Sequence, residues 1–169
     1  RSGETAYLLL KVDDIVVTAS HPALLRQLQQ QLLSEFSMKD LGPLYFFLGI
    51  QVTRTPAGFF LCQKQYAEEI LERAGMDTCK PSRTLIDTKG KLPQADGPRV
   101  TDPLEYRSLA GALQYLTITR PELAYAVQPL CLHMHDPRVC HEGLLKRALR
   151  YVRGTSDLGL WIHPAAKIE

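Results

Sequence analysis

The chain has 169 residues, 45% of them hydrophobic and 22% charged, a balance that excludes wholesale disorder and allows one core or two small lobes. Its formal charge of +2 excludes a globally basic nucleic-acid binder, so any phosphate-binding surface must come from local clustering. The four cysteines, Cys62, Cys79, Cys131 and Cys140, form no C-x-x-C pair and fit a reducing, intracellular compartment, and no apolar run approaches the roughly 18 residues of a membrane span.

In chain order, "YLLLKVDDIVVTA" reads as strand, turn, strand. Tyr7–Leu10 and Ile15–Thr18 are aliphatic and β-branched, and the Val12-Asp13-Asp14 between them is the expected turn. Ser20 is positioned to cap a helix that starts at His21-Pro22 and carries Leu24, Leu25, Leu28, Leu32 and Phe36 on one face. "DLGPLYFFLGIQVTRTPAGFFLCQ" reads as a second hairpin with its turn at Thr55-Pro56-Ala57-Gly58. Tyr66, Ala67, Ile70, Leu71 and Ala74 then mark a short helix, with Gly75 as its C-terminal cap.

From Cys79 to Asp102 apolar residues thin out and Pro, Gly, Lys and Asp accumulate, the composition of a linker. The rest reads as helical. Asp102-Pro103-Leu104-Glu105 has the form of a capping box, and Leu109, Ala110, Leu113 and Leu116 follow at helical spacing. Arg120-Pro121 should break the chain and restart it as a helix through about His135. A last helix is expected over Glu142–Val152, ending at Arg153-Gly154, with Leu158–Ile162 as a closing strand. Hairpins followed by helices predict an α+β fold.

Asp13 and Asp14 are the first candidates for chemistry. A hairpin tip is an ordinary place for aspartate. A carboxylate pair on a rigid turn also suits Mg²⁺, a hard cation that keeps water and phosphate oxygens as its other ligands. Two such ions about 3.5–4 Å apart can activate an attacking hydroxyl and stabilise a leaving oxygen in phosphoryl transfer.

Four stretches, in order, give the pair a context. "LLLKVDDIVVTAS", "FSMKDLGPLYFFLGIQVTRTPAGFFLCQKQYAEEIL", "YRSLAGALQYLTITRPELAYAV" and "LLKRALRYVRGTSDLGL" together resemble the reverse transcriptases of copia-type LTR retrotransposons, over nearly the whole chain. The resemblance implies an RNA-directed DNA polymerase segment running from the catalytic hairpin, usually Tyr-x-Asp-Asp, toward the ribonuclease H domain. It implies a truncated palm with catalytic hairpin, primer-grip hairpin and first thumb helix over 1–78, a linker over 79–102, and a helical thumb or connection over 103–169.

Asp13 would then be the foremost Mg²⁺ ligand and Asp14 its neighbour. Phe47, Leu48 and Gly49 would lie in the primer grip, although as plain sequence they also fit a buried hairpin. The implied partners are an RNA template and a DNA primer. The third carboxylate and the fingers would come from palm and fingers regions ahead of Tyr7, and the ribonuclease H domain from beyond the other end; a first residue of Arg1 rather than Met agrees with a segment of something longer.

Two residues depart from the family pattern. Lys11 stands where tyrosine is usual, and its ammonium would compete with Mg²⁺ for Asp13 or Asp14. Pro129 falls inside an expected helix, at a cost of roughly 3 kcal/mol or a kink. Together with the missing third carboxylate, these departures lead to the expectation that the chain alone does not polymerise.

Two further groupings remain. Lys146, Arg147, Arg150 and Arg153 share one side of the last helix, either as a merely solvated face or as a stripe that tracks a phosphate backbone. That stripe keeps open a non-catalytic nucleic-acid-binding module, or a degenerate product, derived from the polymerase. Cys131, His133, His135, Cys140 and His141 crowd together but match no standard zinc-finger spacing, and ordinary packing is expected of them.

Overall fold

A computed structural model describes residues 3–86 and 97–164. The fold is α+β, with hairpins first and helices after. The chain divides into two compact units, residues 1–47 and 48–169.

In the first unit, β1 (Ala6–Lys11) and β2 (Asp14–Ala19) pair antiparallel in unbroken register from Ala6↔Ala19 to Lys11↔Asp14. The turn is therefore two residues, Val12-Asp13, and Asp14 is already part of the second strand. Helix α1 (Pro22–Glu35) packs on β2. Ser20 does not cap it. The Ser20 amide donates to the Thr5 carbonyl at 2.8 Å, and its hydroxyl accepts from the Thr5 amide at 3.1 Å. The serine thus closes the open end of the hairpin, and His21 takes the cap position with no side-chain bond. The unit ends in the two-residue strand β3 (Phe46–Phe47). Among its described residues none is fully buried.

The second unit contains β4 (Ile50–Thr55), β5 (Gly58–Cys62) and β6 (Gly159–Ile162), antiparallel with β5 in the middle. Pro56-Ala57 makes the β4–β5 turn. There the Thr55 hydroxyl accepts from the Ala57 amide at 3.2 Å and donates to the Gly58 carbonyl at 3.1 Å. Helix α2 (Lys64–Arg73) ends as its sequence demands. Gly75, at φ +60°, lets the Met76 and Gly75 amides reach back to the Leu71 and Glu72 carbonyls at 2.8 and 2.9 Å.

Helix α3 (Pro103–Leu116) begins at Asp102, whose carboxylate accepts from the amides of Leu104 and Glu105, both at 2.9 Å. A 3₁₀ turn (Pro121–Leu123) leads into α4 (Ala124–Leu132), which stops short of the expected His135. Pro129 lies inside it and denies the Tyr125 carbonyl its helical donor. Helix α5 (Val139–Gly154) starts earlier than its apolar spacing suggested, because in its first turn the Arg138 amide donates to His141 Nδ1 and the His141 amide to the Arg138 carbonyl.

Ile70, Leu71, Leu109, Leu113, Leu116, Leu123, Leu130, Leu145, Leu149 and Val152 form one core shared by α2, α3, α4 and α5. Residues 87–96 of the stretch read as a linker lie outside the described residues.

Candidate functional site

The aspartates stand at the tip of the β1–β2 hairpin. Asp13 is the second turn residue, Asp14 opens β2, and both are exposed. Val12 sits at φ +51° and is 89% exposed. A left-handed conformation at a β-branched residue costs about 1–3 kcal/mol and is more often met at functional turns than elsewhere. Lys11 is the cross-strand partner of Asp14. Among the described residues, however, no ion pair joins Lys11 to either aspartate. Two adjacent exposed carboxylates are suitable donors for a hard divalent cation, as part of a ligand set. Among the described residues no group of three His, Cys, Asp or Glu side chains is placed to hold a metal ion.

A second feature lies at the start of the other unit. Leu48 and Gly49 both have positive φ, +50° and +76°. Glycine occupies that region freely; leucine does not. The Leu48 carbonyl is held by the Tyr115 hydroxyl of α3, which donates to it at 2.6 Å. Tyr66 of α2 meets Tyr115 edge-on, with ring centres 5.3 Å apart, and its Cβ would lie 3.9 Å from any Cβ added at Gly49. Burial raises the Tyr66 phenol above its ordinary pKa. The strained turn therefore rests on a tyrosine pair supplied by two helices. The sequence reading set Tyr66 only on the apolar face of its helix and did not single out Tyr115, because a bond spanning 67 positions leaves no local signal.

The basic side of α5 is covered in part. Arg153 Nε donates to the Asp77 carbonyl at 2.5 Å, and Arg150 Nε to the Lys80 carbonyl at 2.8 Å. Arg147 Nη2 donates to the Thr84 hydroxyl at 2.6 Å. The Ser82 amide returns a bond to the Arg150 carbonyl at 3.0 Å. Residues 77–84 thus form a strap running antiparallel to α5, pinned at every third helical position. Pro81 packs so closely on Gly154 that a Cβ there would meet the proline ring carbon at 2.9 Å. Lys146, outside this ladder, pairs with Glu142 at 2.6 Å.

The cysteine and histidine cluster resolves into packing. His133 stacks flat on His141 with ring centres 4.0 Å apart. His141 is buried, and its Nδ1 accepts from the Arg138 amide at 3.0 Å as the cap of α5. Burial lowers the His141 pKa, the charges of His133 and Arg138 lower it further, and Asp136 opposes them. Burial pushes the Cys131 thiol up, away from reactive thiolate.

Sequence reasoning also missed Arg120, a guanidinium only 1% exposed. It binds Glu122 at 2.6 Å and the Thr155 carbonyl and hydroxyl at 2.7 and 2.8 Å, fastening the end of α3 to the end of α5.

A family model described as reverse transcriptase (RNA-dependent DNA polymerase) matches residues 2–88. An uncharacterized mitochondrial protein of Arabidopsis thaliana, AtMg00810, is 51% identical over 163 residues, which are 96% of this chain and 68% of that protein. The retrovirus-related Pol polyprotein from transposon RE1 of the same plant is 42% identical over 96% of this chain, but the match spans only 11% of the polyprotein. The corresponding polyprotein from transposon TNT 1-94 of Nicotiana tabacum is 34% identical over 88% of this chain and is matched over 12% of its own length. No solved structure matches the chain.

Proposed function

The chain belongs to the reverse transcriptase (RNA-dependent DNA polymerase) family, and from that premise we propose that it is the copia-type polymerase segment running from the catalytic hairpin toward the ribonuclease H domain. The observation that carries this reading is the Asp13-Asp14 pair. It is exposed at the tip of the hairpin, Asp13 in the strained two-residue turn and Asp14 opening β2, within the segment that the family model matches.

In this reading Asp13, with Asp14 beside it, would hold Mg²⁺ in a set completed by a carboxylate from outside the chain. The metal, when bound, would supply charge stabilisation to phosphoryl transfer. The chain's own part is positional. The hairpin register fixes the two carboxylates at the tip of the paired strands. The Leu48–Gly49 turn, with Phe47 before it, would form the primer grip, its conformation held by Tyr115. Lys146, Arg147, Arg150 and Arg153 would lie along the phosphate backbone of the template–primer, in an intracellular setting. The palm part, with the grip and the first thumb helix, would span 1–78, and residues 79–102 would link it to the thumb or connection helices of 103–169.

In this reading the metal site needs a ligand from outside these residues, and the 169-residue chain by itself would not extend a primer. The test is a chimera in which this chain replaces the matching segment of an active retrotransposon polyprotein. Mg²⁺-dependent extension on an RNA template is expected, and its loss on Asp13→Asn. Extension that survives Asp13→Asn, with Asp14→Asn equally tolerated, would remove the hairpin from the mechanism. Lys11→Tyr in the same chimera should raise the rate, by relieving competition between the ammonium and the metal.

A further inference from the structure

Aromatic side chains stand where an exposed sheet face calls for polar ones. In the sheet β4–β5–β6 the register puts Thr53, Phe60 and Trp161 in one row across the three strands. Val52, Leu61 and Leu160, one position along, form a row on the opposite face and are half-buried. On the first face Gln51 and Thr53 are exposed, as alternation along a strand requires. So is Trp161, to 47%.

The rings are held in place. Phe60 and Trp161 meet with ring centres 5.0 Å apart and planes tilted by 40°. His163 lies parallel to the indole within 9°, at 5.9 Å. Its Nδ1–H donates to the Ala57 carbonyl at 3.0 Å, which fixes the imidazole beside Trp161. Two glycines make room for this arrangement. A Cβ at Gly159 would meet the Phe60 ring at 2.8 Å, and one at Gly58 would strike the Ile162 carbonyl. A surface already ordered in this way loses little further freedom when a flat ligand settles on it.

An exposed π-surface on a sheet, bordered by the Gln51 amide and the Thr53 hydroxyl, suits a planar heteroaromatic ring with hydrogen-bonding edges. We propose that the row Phe60–Trp161–His163 is a stacking platform for the unpaired bases of a single-stranded nucleic acid. The choice of nucleobases as the ligand rests on the polymerase reading. Strand β4 begins directly after the Leu48–Gly49 turn, so the platform and the grip of that reading share a strand. Gln51, Thr53, Phe60 and Trp161 carry no charge, and stacking rather than phosphate attraction supplies the affinity here.

Trp161 is the only tryptophan of the chain, so its fluorescence reports on the platform alone. Titration of the full chain with a short oligothymidylate should quench that fluorescence. An abasic strand of the same length and charge should not. Binding of the labelled oligothymidylate, followed by anisotropy, should weaken about tenfold in Trp161→Leu, which keeps an apolar side chain but no ring, and far less in Trp161→Phe. The log–log salt slope should be unchanged in both variants, because no phosphate contact is lost.

Equal quenching by the abasic strand would overturn the platform, as would Trp161→Leu binding as tightly as the unmodified chain. The absence of any quench by oligothymidylate, with or without binding, would overturn it too. None of these outcomes bears on Mg²⁺-dependent extension by the chimera, whose failure would instead overturn the polymerase reading.

Discussion

The two units of the chain are stabilised very differently. Residues 48–169 enclose a core in which Ile70, Leu113, Leu123, Leu130 and Leu149 are essentially inaccessible, and they bury Arg120 with every guanidinium nitrogen bonded. Residues 1–47 hold the two aspartates on a hairpin whose first strand is exposed along its whole length, beside a helix with no buried residue. Tyr7, Leu8, Leu9 and Leu10 all face solvent in part. An apolar, uncovered strand edge is a pairing surface. The contrast teaches that the candidate catalytic residues sit on the part of the chain least able to stabilise itself. The part that would handle nucleic acid has its own core.

Substitutions should expose that contrast, beginning with the core. Leu113→Ala or Leu149→Ala should destabilise the second unit by about 2–5 kcal/mol in denaturant melts, as cavities in packed cores do. Equal effects from Leu9→Ala would break the comparison. Next, Glu122→Ala should cost about 3 kcal/mol by leaving the buried Arg120 short of its counter-charge.

A smaller effect should follow pH. Because the folded-state pKa of His141 is depressed, the stability it contributes is present in full above about pH 6.5 and is lost as pH falls toward the folded-state value. The melting temperature should therefore drop on mild acidification. His141→Gln keeps an acceptor for the Arg138 amide without titrating near neutrality, and it should flatten that part of the profile. The smallest effect is expected at the hairpin tip, where Asp13→Asn and Asp14→Asn should change stability by no more than about 0.5 kcal/mol. Hydrogen exchange should show the same order, with slow amides in α3 and α5 and fast ones in β1.

Much of this was legible in the sequence wherever the signal is local. The helical spacing of Leu109, Ala110, Leu113 and Leu116, the Asp102 cap and the Gly75 stop each depend on neighbours within one turn. The order of the four family-like stretches pointed to the polymerase family that the comparisons show.

What escaped was set by partners far away in sequence. Ser20 looked like a helix cap but closes the hairpin against Thr5, because a paired strand end competes for the same hydroxyl. The α5 arginines share a face, as their spacing required, yet nothing local shows that residues 77–84 lie on that face. Tyr115 draws no reading of its own and Arg120 only marks the break at Pro121 until their partners at Leu48 and Thr155 are known. Asp14 moved from turn to strand because register, which composition does not encode, decides where a hairpin turns.

The central claim is that the aspartate pair belongs to a polymerase site that this chain alone does not complete. Primer extension on an RNA template, in Mg²⁺, by the isolated chain tests it most directly. No product above background is predicted, and robust synthesis that disappears with Asp13→Asn would contradict the claim of an incomplete site.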